Sequence, residues 1–142
     1  MTRGRDTRLW VARFLIAFVA AWNLQVALVF ILWPERFAPG FELTGVPGAA
    51  AVQGTGVLFL MWNVPYLVAL WHPRKYPLAL GLALAMQFIG LAGESLILIT
   101  LPQGHTLLST SITRFIAFDA SGLVLLAGAF WLLNRNGEPK QV

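Results

Sequence analysis

The sequence predicts an all-α integral membrane bundle of four transmembrane helices with both termini in the cytoplasm. Composition is the first reason. Of the 142 residues, 58% are hydrophobic and 11% charged, and mean hydropathy is +0.71, whereas a soluble domain is roughly 45–50% apolar and about 25% charged. The second is patterning, because the apolar residues fall in four long runs, not the short alternating pieces of a small soluble core. The third is charge placement. Arg3, Arg5, Arg8 and Arg13 precede or open the first run, Arg74 and Lys75 lie in the second connection, and Arg135 and Lys140 lie near the C-terminus. Against them stand Arg36 alone in the first connection and no Lys or Arg in the third. The positive-inside bias then places both termini in the cytoplasm, with Trp10, Trp71, Tyr76 and Trp131 as inner interfacial anchors and Trp33 and Phe37 as outer ones.

The first run covers residues 9–33 and is interrupted only by Arg13, Asn23 and Gln25. At about 1.5 Å per residue it crosses a hydrocarbon layer roughly 30 Å thick. Arg3, Arg5 and Arg8 look like the basic start of a secretory signal, and small residues surround Ala20 and Ala21. The apolar run continues well past that point, so it is expected to remain as a span. The second span, 47–71, contains Gln53-Gly54-Thr55-Gly56 and then Pro65, which is expected to kink the helix and free the Met61 carbonyl for Asn63. The third, 77–100, opens on Pro77, where a missing N–H costs nothing. The fourth, 106–133, stops at Asn134-Arg135-Asn136-Gly137. The whole chain, 1–142, reads as one transmembrane domain. Only the connection from Pro34 to Val46 is long enough for a shape of its own. Its prolines and glycines suggest turns, with Phe37 and Phe41 dipping in as a lid or simply lying in an interfacial loop.

Several function classes drop out. There is no cysteine, which excludes disulfides, thiolate ligands and cysteine nucleophiles. The sequence pI near 10.4 would suggest nucleic acid in a soluble chain, but here the basic residues mark span ends and imply no such partner. His72 and His105 fall in connections on opposite sides of the membrane and cannot share a haem or a metal ion. Carboxylates without histidine partners suit neither zinc nor a di-iron centre, and neither a phosphate loop nor a nucleophile elbow is present. No catalytic residue and no metal site are therefore expected.

The informative residues are the polar ones inside the spans: Asn23, Gln25, Gln53, Asn63, Gln87, Glu94, Arg114 and Asp119. Ionisable groups in such positions are expensive and are functional candidates by default. Glu94 and Arg114 lie nearly symmetrically about the turn at Gln103-Gly104, so counting predicts that they meet as an ion pair about 10 Å below the outer boundary. Gln25 and Gln53 reach the same layer, which would then receive one polar group from each span. Asp119 lies deeper, level with Gln87 and with Asn23 or Trp22. Arg114 and Asp119 are five residues apart, about 140° around the helix, and do not face the same neighbour. Ala83, Gln87, Gly90 and Glu94 form one stripe whose small residues permit close approach. Asn63 reads as structural. Gln25 and Gln53 read equally as interhelical glue or ligand contacts, and the Glu94–Arg114 pair as a register lock or a functional group.

Four spans in this length, a basic N-terminus running into the first helix, the glycines Gly54 and Gly56, and no extramembrane domain resemble the small bacterial DoxX-like membrane proteins. The resemblance implies the bacterial inner membrane. Some of that group accompany quinone-linked oxidation complexes, so it also implies an accessory or quinone-proximal role. The leading expectation is a non-enzymatic module that binds a lipid or quinone in a polar-floored pocket in the outer half of the membrane. The head group would meet Gln25, Gln53, Glu94 and Arg114, with Gln87 and Asp119 deeper and Trp22 or Trp62 against the tail. A proton-coupled homodimeric transporter using Asp119 or Glu94 is the second reading. A structural subunit of a larger membrane complex is the third.

Overall fold

The computed structural model describes residues 3–134. The side chains of Arg3 and Arg5, and the whole of Arg135, Asn136, Gly137 and Lys140, lie outside the described residues, so parts of the topology and helix-stop readings are not represented. The regular structure of the described residues is entirely helical: α1 (Arg3–Leu32), α2 (Pro34–Phe37), a 3₁₀ turn (Ala38–Phe41), α3 (Gly45–Trp71), α4 (Pro77–Thr100) and α5 (Thr106–Asn134). The four long helices are long and apolar enough to cross a membrane. Unbroken helices are what spanning a lipid layer would require, since every backbone polar group there must be satisfied within its own segment. Even Pro65 sits inside a continuous α3.

Local chemistry sets the breaks. Pro34 and Pro77 open their helices in the first turn, and Leu101, preceding Pro102, is forced out to an extended conformation. The first connection is a folded cap and not an ordinary loop. Its turns close through Glu42 N–H to the Pro39 carbonyl and Leu43 N–H to the Ala38 carbonyl, both at 3.0 Å. Glu42 takes a left-handed backbone conformation, φ 57°, which is unusual for a residue with a Cβ.

Helix α1 packs against α3 and α5, and α4 against α5 and α3, giving an up-and-down bundle in which α1 and α4 lie on one diagonal. Gly56 lets α1 and α3 touch, because a Cβ there would lie 2.8 Å from the Ala27 carbonyl oxygen. The end carrying the termini has an apolar core to which all four helices contribute, including Ala12, Ile16, Ala69, Leu80, Ala83 and Leu126. Toward the cap the buried set shrinks to Phe30, Ala38 and Val52, and α4 adds nothing to that cluster.

Candidate functional site

Where α4 withdraws from the core, the cap-end half holds a half-open cavity of about 960 Å³, at the upper end of the usual ligand-site range of roughly 300–1,000 Å³. Its upper wall is aromatic. Phe30 touches Phe37 at 5.0 Å between ring centroids, Phe41 at 5.8 Å and Phe115 at 6.2 Å. The cap thus supplies two rings of the wall and covers the cavity, as the lid alternative anticipated. On another side Trp22 packs on Phe118 at 5.2 Å, and Trp62 lines the cavity from α3.

The floor is a hydrogen-bonded chain across three helices. Tyr66 donates its hydroxyl to Gln87 Oε1 at 2.6 Å and lies 3.2 Å from the Ala83 carbonyl. Gln87 donates through Nε2 to Asp119 Oδ1 at 2.8 Å, so the residues counted to one depth do meet. Asn23 approaches the Tyr66 hydroxyl from α1. Two glycines make room for this chain: a Cβ on Gly90 would collide with the Asp119 carboxylate, and one on Gly122 would lie 2.6 Å from Gln87 Nε2. Gln87 is thereby almost fully buried with both ends of its amide engaged, which meets the requirement that buried polar groups be paired.

The expected ion pair between Glu94 and Arg114 is absent. Glu94 Oε2 is buried without a hydrogen-bond partner, and the charge that faces it is Asp119. Arg114 lines the same cavity from an exposed position. The reason is azimuth. Ser111, Phe115 and Phe118 face the cap and α1, and Arg114 belongs to that side of α5. Asp119 and Gly122 face α4. Equal depth brought Glu94 and Arg114 level without turning them toward each other.

The polar layer is also thinner than expected. Gln53 lies off the cavity and donates from Nε2 to the Ile31 carbonyl at 3.1 Å, tying α3 to α1, while Gln25 does line the cavity from an exposed position. Asn63 does not bridge the Met61 carbonyl. Its amide donates to Phe59 O at 2.8 Å, one helical turn back, and its Oδ1 stays buried and unpartnered.

Tyr66 and Arg36 line the cavity and escaped the sequence reading. Tyr66 could have been found by counting about the second connection, which sets it opposite Ala83, whereas Arg36 had counted only as a topology charge. Above the cavity the cap is fastened to α5. Ser111 Oγ donates to the Gly40 carbonyl at 2.6 Å. Glu42 contacts His105 Nδ1 at 2.5 Å and accepts the Leu108 N–H at 3.3 Å. The His105 contact, followed by the Leu108 N–H, holds the Glu42 carboxyl below its ordinary value of 4.5. Among the described residues no three His, Asp or Glu side chains converge as a metal site. No protein-family model, curated protein or solved structure matches the chain.

Proposed function

We propose that this chain is a membrane-embedded binding module whose cavity holds one small amphipathic molecule, a lipid or a quinone. The observation that carries the reading is the cavity itself, lying in the cap-end half while an apolar core from all four helices fills the other, with aromatic walls and polar groups at two depths. Pockets of that make-up orient a ligand by a few polar contacts and hold it by apolar area. The charge distribution supports a cell-membrane topology with both termini in the cytoplasm, which turns the cap and the cavity mouth outward. The general outline of the DoxX-like proteins is compatible with this placement.

Native mass spectrometry of protein released from nanodiscs is the test. Wild type is expected to keep one small adduct per chain, and Ala117→Trp, which sets an indole across an exposed edge of the cavity, is expected to lose it while staying folded. A wild type without adduct, or equal adducts on both proteins, would overturn the reading. Glu94 and Asp119 facing one cavity favour a second reading, a proton-coupled transporter working as a dimer. A dimer whose pH-dependent substrate flux disappears in Asp119→Asn would establish that instead.

A further inference from the structure

Resting on the binding-module reading, we propose that the cavity selects an anionic amphiphile, whose carboxylate or phosphate is held at the mouth by Arg36 and Arg114. Both residues line the cavity. Neither makes an ion pair or side-chain hydrogen bond among the described residues, although two carboxylates line the same space.

The charges inside the cavity are sorted by side. Glu94 and Asp119 lie toward α4, where Asp119 is bonded to Gln87 and sits against Gly90. Arg36 belongs to the cap. Arg114 lies one turn from Ser111, the residue that fastens the cap through the Gly40 carbonyl. Arg114 is also about 12 Å along α5 from its first residue, deeper than an interfacial anchor needs to be. A guanidinium at that depth is costly without an anion, and its planar fork suits the paired oxygens of a carboxylate or phosphate. Gln25, exposed on the same rim and with its amide donors bonded to no other side chain or carbonyl among the described residues, adds neutral donors. Of the exposed lining residues, Trp22 and Gln25 lie on α1, Arg114, Ala117 and Ser121 on α5, Trp62 on α3 and Arg36 on the cap. Most of the exposed lining thus lies on α1 and α5, and on this proposal an amphiphile enters there from the bilayer with its head at the arginines and its body against the aromatic wall.

The experiment compares oleate with oleyl alcohol, which differ in the head group alone, on delipidated protein, with tryptophan emission from Trp22 and Trp62 as readout and native mass spectrometry for stoichiometry. Oleate is expected to bind at one molecule per chain and about tenfold more tightly than the alcohol, the order of one charge-assisted hydrogen bond. Arg114→Gln and Arg36→Gln should each reduce that preference, with the alcohol bound as in wild type and Arg114→Lys keeping part of the preference. Competition by phosphatidylglycerol would assign the anion to a lipid headgroup, and competition by inorganic phosphate to a free anion; either supports the shared chemistry. Equal affinity for oleate and alcohol, or a preference untouched in both glutamine variants, would overturn the selectivity and leave the binding module standing. Failure of both amphiphiles to enter the cavity would remove the module itself and this inference with it.

Discussion

The two halves of this bundle are built by the same four helices, yet one is filled and the other hollow. At the end carrying the termini, alanines at 12, 69, 79, 83 and 129 let the helices approach, and Ile16, Leu80 and Leu126 fill what remains. At the cap end the positions that would close the bundle carry phenylalanines clustered on α1, α3, α5 and the cap, leaving α4 to face a cavity with Gly90 and Glu94. Small residues bring helices together where no hydrophobic driving force exists between them. The cluster of large rings joins α1, α3, α5 and the cap without α4, while α1 and α3 still touch at Gly56. Stability should therefore reside in the filled half and binding in the hollow one.

The largest effect expected from that contrast is on unfolding. Leu126→Ala, at a fully buried position, is expected to cost about 2–4 kcal/mol, because the filled half cannot collapse into the space. Phe115→Ala should cost less even though phenyl is larger, since one side of that ring already borders the cavity. Thermal unfolding of both variants in one detergent decides it, and equal losses would break the contrast.

A smaller effect separates the two buried-looking glutamines. Gln87→Leu leaves Asp119 Oδ1 without its donor and the Tyr66 hydroxyl with only the Ala83 carbonyl and Asn23, and is expected to cost about 1–3 kcal/mol. Gln53→Leu removes one exposed bond to a carbonyl and should cost below about 1 kcal/mol. The same unfolding assay sharpens the comparison, since similar losses would mean that the floor is no more constrained than the helix exterior.

The helices were legible in the sequence because lipid permits little else for apolar runs of this length, and α4 matches the expected span residue for residue. Depth was legible too, and it brought Gln87 to Asp119. Azimuth was not carried through. Placing Asp119 on Gln87 and Arg114 on Glu94 asks one helix to present residues about 140° apart to the same neighbour, so the first contact rules out the second. Gln53 failed for the same reason, being level with the cavity and turned away from it. Tyr66 was hidden by its type, since tyrosine in an apolar run reads as an interfacial anchor until a partner for its hydroxyl is found. The cap could not be read from turn residues alone, because what makes it a cap is Phe37 and Phe41 packing on Phe30 and Phe115, contacts between distant parts of the chain.

The smallest effect concerns how the hollow half is closed. Glu42 joins the cap to the start of α5 through His105 and the Leu108 N–H, and this pairing lowers its carboxyl below 4.5. A lowered folded-state value means that its contribution is complete above the ordinary carboxylate value and is lost as pH falls through the lowered one. The pair is exposed, so the effect on global stability is slight, and the place to read it is the cap. Hydrogen exchange at the Leu108 amide, corrected for intrinsic rate, should quicken as pH drops through that range in wild type and be fast and flat in Glu42→Gln. His105→Ala separates the two contacts: partial protection would show that the helix N-terminus holds the carboxylate by itself, consistent with the favourable placing of an anion there. Wild-type protection that ignores pH would mean that Ser111 and the aromatic wall hold the cap down without Glu42, making closure a property of packing and not of charge.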